Sequence, residues 1–363
     1  MGQIAIVFVI LNIPSAVARY IGFGLSGVLN YLMLLLLAVY YVVSDKSKPT
    51  FPLLITGFSY YFISSFNYIE EPNDIIQEFL KFVVVVLSGT EIMKRTNNKQ
   101  LFYLYLIGAF SILIHAMFGV SPNGRFSGLY LNPNEAGFVC ISGYALCYSL
   151  KNRLTGLLGQ FCFTFLGLLT FSRTFIVIWI IVNILAIYVN IKNIRMFAFG
   201  FLTLLALFFF ESELGLNNVR LQQLKSLVHT ENGSMDQIDK QSRTETWAAF
   251  YEPIMNKPIL GNGYGTFQGV LDRNELGLNY GAHNTYLLLA GEAGFLPFLL
   301  FIAFIGFLMT RSIFFLKQHP HLFLQSFALA FWCLASHNFF NFYYVIFSSL
   351  WIYYQIKSVI DEQ

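Results

Sequence analysis

The stretch FCFTFLGLLTFSRTFIVIWIIVNILAIYV, residues 161–189, decides the fold class of this chain. Two long apolar runs, 154–171 and 174–190, flank the pair Ser172 and Arg173. Each run has about the 17 residues that a helix needs to cross the hydrocarbon core of a bilayer. Because a helix satisfies its backbone polar groups within one segment, the stretch predicts two membrane-spanning helices that meet at Arg173.

The whole chain shares this apolar character. Of its 363 residues, 56% are hydrophobic and only 11% are charged, and the net charge is +3. A soluble globular protein carries about 25% charged residues. This composition excludes a soluble one- or two-domain enzyme and a disordered chain. The small net charge, with no basic stripe, excludes a nucleic-acid binder.

Hydropathy predicts an all-α polytopic membrane protein with 11–12 transmembrane helices. The first span is interrupted by Asn12 and Pro14, so whether it crosses fully is left open, and the tenth is long enough to break near Gly291 and Gly294. We expect an N-terminal bundle (1–211), a large structured loop (212–282) and C-terminal helices (283–363) that together form one membrane domain. The predicted spans are 4–22, 26–43, 51–67, 76–93, 101–119, 133–150, 154–171, 174–190, 196–211, 285–310, 321–337 and 339–356.

Basic residues orient these spans, because cytoplasmic loops carry an excess of Lys and Arg. Short loops on the opposite side carry only Arg19, Arg125 and Arg173. Both termini are therefore predicted to be cytoplasmic. Twelve basic residues lie in the short loops of the cytoplasmic side: Lys46, Lys48, Lys94, Arg95, Lys99, Lys151, Arg153, Lys192, Arg195, Arg311, Lys317 and Lys357.

The segment 212–282 is unlike the other connections because it is long and polar. Residues 216–228 have a helical apolar pattern, and the sequence SRTE at 242–245 is typical of a capping box that opens a second helix ending near Asn256. The glycine-rich run at 261–267 lacks the Lys-Ser/Thr of a phosphate loop, so it predicts a turn. We expect a folded cap that lies on the extracytoplasmic face.

Three arginines stand out on the side where positive charge is otherwise avoided. Arg125, Arg173 and Arg243 each lie near the predicted start of a helix. Helix N-termini present free N–H groups and partial positive charge, and Arg adds a planar, permanently charged fork. Together they predict an outward-facing site for phosphate or pyrophosphate. The alternative is that these arginines anchor lipid headgroups.

His283 lies at the outer mouth of the span that follows the long loop, where an imidazole is a natural proton acceptor. A structural histidine bonded to a loop carbonyl is the alternative. His337 repeats the His-Asn pair and is interpreted as structural, and His115 as core or pore-lining. The four cysteines lie in apolar runs without metal-like spacing and are predicted to be buried rather than disulfide-bonded: Cys140, Cys147, Cys162 and Cys333.

These features occur in a characteristic order over about residues 120–300. The ordered set resembles the O-antigen ligase/polymerase family of bacterial polysaccharide enzymes. It comprises Arg125, Gly128, Asn132, Pro133 and Asn134, then Ser172 and Arg173, then Arg243 and Trp247, then the run 257–265, and finally His283, Asn284, Tyr286, Leu287, Glu292 and Gly294.

The resemblance implies a GT-C-like, metal-independent, inverting glycosyltransferase of the bacterial inner membrane, which needs no cofactor. Its donor would be a glycan on undecaprenyl pyrophosphate, and its partners would be membrane lipids, a flippase and a chain-length regulator. Arg173 and Arg243 would hold the pyrophosphate, and His283 would serve the acceptor hydroxyl. The residues carried over as substrate-binding are Arg125, Asn134, Trp247 and Asn284.

Three functions remain open at this point. The first is a polymerase that joins lipid-linked repeat units into O-antigen or capsule. The second is a ligase that uses the same chemistry on another acceptor, such as a lipopolysaccharide core. The third is a polysaccharide flippase or exporter, which would not need a structured outer cap with Arg and His. The scarcity of acidic residues deep in the spans argues against ion-coupled transport.

Overall fold

The computed structural model describes residues 1–46, 48–68, 72–119, 121, 124–209, 243–269, 280–337 and 339–362. Within these ranges the chain is helical, with no β-strand. The helices are α1 (Gly2–Ile10), α2 (Ile13–Tyr20), α3 (Phe23–Val43), α4 (Phe51–Ser64), α5 (Pro72–Lys94), α6 (Asn98–Phe118), α7 (Pro133–Leu146), α8 (Arg153–Leu169), α9 (Arg173–Val189), α10 (Ile194–Phe209), α11 (Arg243–Asn256), α12 (Thr285–Ala293), α13 (Phe295–Phe314), α14 (Pro320–Cys333) and α15 (Tyr343–Asp361).

Each of the twelve predicted spans contains a helix, but not every helix is long enough to cross a membrane alone. Among the described residues, α1 and α2 form a fifth candidate if they are counted as one span bent by 50°. The total of twelve crossings therefore stays a prediction. In the described part of the chain, four stretches are long and apolar enough: α3, α6, α13 and Ile191–Phe209, which is α10 together with the short 3-10 helix before it.

Two breaks between helices lie where the sequence predicted that a span is interrupted. Asn12 separates α1 from α2 in the left-handed conformation (φ 51°), which Asn tolerates better than most residues. Gly294 separates α12 from α13 with φ 76°. A Cβ at that position would lie 2.2 Å from the carbonyl oxygen of Ile259, so only glycine fits there.

The centre of the bundle consists of α7, α14 and α15. The indole rings of Trp332 and Trp351 are fully buried, and the ring of Phe138 lies 5.1 Å from that of Trp332. By contrast α3 exposes apolar side chains along its length, with Phe23 86% exposed. A helix surface of this kind suits contact with lipid. All four cysteines are free, as expected, and Cys140, Cys147 and Cys333 are buried. Cys162 was also predicted to be buried but is only half-buried, because it lies on a less enclosed face of α8.

The short loops predicted to be cytoplasmic meet at one end of the bundle. There the hydroxyl of Tyr354 donates to the carbonyl of Lys48 at 3.0 Å. The indole N–H of Trp351 donates to the carbonyl of Thr96, also at 3.0 Å. We call this end, which carries Lys48 and Thr96, the basic end.

The opposite end gathers the starts of α5, α7, α9, α12 and α15. The indole N–H of Trp332, near the end of α14, donates to the carbonyl of Asn134 at 3.2 Å. The hydroxyl of Thr285 donates to the carbonyl of Ser336 at 2.6 Å. We call this end, which carries Asn134 and Ser336, the site end.

Candidate functional site

The N-termini of α7 and α9 lie side by side at the site end. The side-chain oxygen of Asn132 accepts hydrogen bonds from the backbone N–H groups of Asn134 (2.9 Å) and Glu135 (3.2 Å), and so begins α7. The hydroxyl of Ser172 accepts from the N–H of Phe175 at 3.2 Å and begins α9. Both residues are of the types favoured at helix N-caps, and both helices begin at or directly before the first residue of the predicted spans. The same Ser172 hydroxyl donates to the side-chain oxygen of Asn134 at 2.7 Å, which joins two motifs that are far apart in sequence.

Arg173 is the first residue of α9, and it is exposed. The chain turns sharply just before it, because Phe171 has a left-handed backbone with φ 48°. The side chain of Arg173 therefore extends from the place where the N-termini of α7 and α9 meet. Free N–H groups and a permanent positive charge in one place can bind an anion such as a phosphate.

Arg125 lies in the loop between α6 and α7. Two residues outside the predicted catalytic and substrate-binding set, His115 and Arg19, hold this loop in place. The ring Nδ1 of His115 accepts from the backbone N–H groups of Ser127 (3.1 Å) and Gly128 (3.3 Å). The guanidinium of Arg19, on α2, donates to the hydroxyl of Ser127. His115 is thus a buried structural residue, and the loop that carries Arg125 has a defined path.

His283 is exposed and has a left-handed backbone, with φ 45°. Its ring centroid lies 4.9 Å from that of His337, in the turn between α14 and α15. The Nδ1 atom of His337 is buried and has no hydrogen-bond partner among the described residues. Burial and the neighbouring His283 lower the pKa of His337 to about 4, so this imidazole is neutral at neutral pH.

Asn284, expected to bind substrate, caps α12. Its side-chain oxygen accepts from the N–H groups of Tyr286 (2.9 Å) and Leu287 (3.2 Å), and the residue is buried. Because this oxygen is occupied, Asn284 fixes the backbone next to His283, and a direct contact with substrate stays a prediction.

The same stretch of chain after α14 connects the histidines with the arginine site. Trp332 bonds to Asn134, and Ser336, one turn further along, bonds to Thr285. His283 precedes Thr285 by two residues, and Asn134 bonds to Ser172. The structure therefore brings the motifs containing Asn134, Ser172 and His283 to one end of the bundle.

Glu292, on α12, belongs to the motif set named above without an assigned role, and it is fully buried. Its carboxylate accepts from the hydroxyl of Tyr60 (2.6 Å), the N–H of Phe267 (3.0 Å) and the side-chain amide of Gln268 (3.3 Å). These hydrogen bonds hold the glycine-rich run against α4 and α12. Its place in an otherwise apolar run is a second sequence signal, but neither signal indicates these partners.

The glycine-rich run at 261–267 forms turns, as predicted, and packs on α12. The side-chain amide of Asn262 donates to the carbonyl of Gly291 at 3.0 Å. The backbone N–H of Tyr264 donates to the carbonyl of Ser64, at the end of α4, at 3.1 Å. The run therefore connects α12 with the end of α4.

Helix α11 covers this region and ends at Asn256, as predicted. The ring of Phe250 lies 4.8 Å from that of Phe267, in a small apolar cluster between α11 and α12. The indole N–H of Trp247 is buried without a partner in the described part of the chain. The side chain of Arg243, the cap at Ser242 and the predicted helix 216–228 lie outside the described residues.

Across the described ranges, no group of three or more His, Cys, Asp or Glu residues could hold a metal ion. The candidate site consists instead of helix N-termini, Arg173 and a histidine pair.

Residues 158–302 match the family model described as O-antigen ligase. No curated protein matches the chain. The matched region begins in α8 and ends in α13, so it contains Arg173, Arg243, His283 and Glu292. This part of the chain is therefore similar to the O-antigen ligase family.

Proposed function

We propose that this protein is a polymerase that joins oligosaccharide repeat units, carried on undecaprenyl pyrophosphate, into O-antigen or capsule. The reaction would take place at the extracytoplasmic face of the inner membrane, where we place the site end. The observation that carries the proposal is the family match, which spans two of the three predicted anion-binding arginines, Arg173 and Arg243, and also His283. The family description favours one alternative, a ligase that uses the same donor with a different acceptor.

In the proposed reaction, a hydroxyl oxygen of the acceptor sugar attacks the anomeric carbon of the donor from the face opposite the diphosphate. The new C–O bond forms as the bond between that carbon and the phosphate oxygen breaks, and the configuration inverts. His283 accepts the proton of the hydroxyl, a contribution typically worth about 10²–10⁴-fold in rate. Its exposed position at the start of α12 supports this role.

The lipid diphosphate leaves with increasing negative charge. Arg173 would stabilise that charge together with the N–H groups at the starts of α7 and α9, and Arg243 would complete the clamp. Fixed donors of this kind act more strongly on the transition state than on the substrate. The joined caps of Ser172 and Asn134 support the proposal, because they hold both helix ends in place without the ligand.

Substitution of the proposed catalytic groups tests this function. We expect Arg173→Ala and His283→Ala each to abolish polymer while single lipid-linked repeat units accumulate and protein levels stay normal. The readout is the glycan ladder of cells that carry each variant. Arg153→Ala is the matched control, because Arg153 is also the exposed first residue of an Asn-capped helix but lies at the basic end.

Normal polymer in both variants would refute the proposed enzyme. Full-length polymer that stays on its lipid carrier would instead identify a ligase, since polymerisation would then be intact and only the final transfer would be lost.

A further inference from the structure

A polar cavity of about 510 Å³ opens at the site end, between the start of α5, the glycine-rich turns and the turn before α15. Its volume is within the range of about 300–1,000 Å³ that is usual for small-molecule sites. Six residues line it: Asp74, Gln77, Glu78, Tyr264, Gln268 and Asn341.

A second cavity of about 450 Å³ adjoins the first, because Glu78 and Asn341 line both. On its far side lies Leu131, directly before the Asn132 cap of α7. Asn12 also lines it, and the side-chain Nδ2 of Asn12 is buried without a hydrogen-bond partner in the described ranges. A buried amide donor of this kind is costly unless something accepts its hydrogen bond.

The first cavity adjoins the histidine pair. A Cβ on Gly281 would lie 2.8 Å from the Cε1 of His337 and 3.0 Å from the carbonyl oxygen of Gln268. Gly281, two residues before His283, thus lies close both to the backbone of Gln268 in the cavity wall and to the ring of His337. The two cavities together extend from Gln268, near the histidine pair, to Leu131, directly before the start of α7.

The charge of the lining distinguishes its ligand from the donor's diphosphate. Asp74 and Glu78 are acidic, and the basic residue in the wall, Lys81, pairs with Glu78 at 2.7 Å. This excess of negative charge repels a diphosphate. Carboxylates and side-chain amides are instead good partners for hydroxyl groups, and the ring of Tyr264 offers an apolar face.

We propose that this double cavity is the acceptor subsite, which binds the hydroxyl-bearing sugars of the acceptor glycan and presents one hydroxyl to His283. The proposal rests on the proposed function, which it extends by separating the acceptor from the donor. The diphosphate binds at Arg173, and the neutral saccharide binds between α5, the glycine-rich turns and Asn341.

A kinetic experiment tests the subsite. The full-length protein is reconstituted in liposomes with the lipid-linked repeat unit as donor, and the oligosaccharide repeat freed from its lipid serves as acceptor. We expect the double variant Gln77→Ala/Asn341→Ala to raise the half-saturating acceptor concentration about tenfold or more, since two hydrogen-bonding groups are lost. The half-saturating donor concentration should stay within about twofold of wild type. Asn73→Ala, on the same turn of α5 but outside the lining, is the matched control.

A binding experiment that needs no activity accompanies it. Cys140, Cys147 and Cys333 are buried, so in a Cys162→Ser background the variant Asn341→Cys supplies the reactive thiol. We expect the free oligosaccharide repeat to slow maleimide labelling of Asn341→Cys severalfold, and to leave labelling of an Asn73→Cys control unchanged.

The outcomes separate the two proposals. Protection of Asn341→Cys without any transfer by the wild-type protein would retain the saccharide site and refute the proposed enzyme. Normal transfer with unchanged acceptor saturation and no protection would refute the subsite and retain the enzyme. A shift in donor rather than acceptor saturation would also overturn the subsite.

Discussion

At Ser172 one hydroxyl group makes two hydrogen bonds with different consequences. As an acceptor from Phe175 it begins α9, and as a donor to Asn134 it holds α9 against the start of α7. Because Ser172 directly precedes Arg173, these two bonds fix the backbone from which the Arg173 side chain extends. Sites that are rigid before they bind lose less free energy on binding.

The shape of the Arg173 side chain should matter as well as its charge. We expect Arg173→Lys to lower the transfer rate by at least about tenfold, because an ammonium group cannot make the bidentate contact of a guanidinium with phosphate oxygens. The initial rate of polymer formation in liposomes measures this effect, with Arg153→Lys as control. Full activity of Arg173→Lys would show that a single positive charge suffices.

At the scale of elements, the glycine-rich turns link α4, α11 and α12. Gly263 has φ 102°, and its N–H donates to the carbonyl of Glu292 at 3.0 Å. A Cβ there would lie 2.2 Å from the carbonyl oxygen of Asn67, just after α4. The close contact between these backbones requires glycine, so the turns fix how α12 lies relative to α4.

Substitution of Gly263 should therefore destabilise the protein. We expect Gly263→Ala to cost about 1–3 kcal/mol or more, since it adds a strained backbone and a steric clash. Thermal unfolding of the purified protein in detergent measures the loss as a lower midpoint temperature. Gly306→Ala in α13 is the control, because a Cβ there meets nothing within 4 Å. Equal midpoints for both variants would contradict the prediction.

At the scale of the whole molecule, the two ends of the bundle differ in chemistry. The basic end carries loops such as those of Lys48 and Arg95, whereas the site end carries the arginine site and the histidine pair. The positive-inside rule then predicts that the site end faces away from the cytoplasm. A donor glycan attached to a lipid could reach that end from within the membrane.

Labelling of intact spheroplasts tests this orientation. In the Cys162→Ser background, we expect Asn73→Cys at the site end to react with a membrane-impermeant maleimide added outside. Lys48→Cys at the basic end should react only after the membrane is permeabilised, because both positions are exposed but lie at opposite ends. The reverse pattern would place the candidate site in the cytoplasm and contradict the proposed function.

The sequence predicted the helices well because their ends are local features. The apolar run 154–171 ends directly before Ser172, and α9 begins at Arg173, as hydropathy indicated. The break at Gly294 and the end of α11 at Asn256 were found in the same way. The number of crossings could not be obtained so directly, because α7 and α14 are shorter than a membrane is thick.

By itself the sequence determined the helical class, the helix starts at Asn132, Ser172 and Asn284, and the polar residues that needed an explanation. Only the tertiary structure decided that His337 lies beside His283, that Glu292 fastens the glycine-rich turns, and that a polar cavity adjoins them. The physical reason is that the two kinds of interaction act over different distances along the chain. Apolar runs and caps act within a few residues, whereas contacts between helix ends depend on which helix faces pack together across the whole bundle.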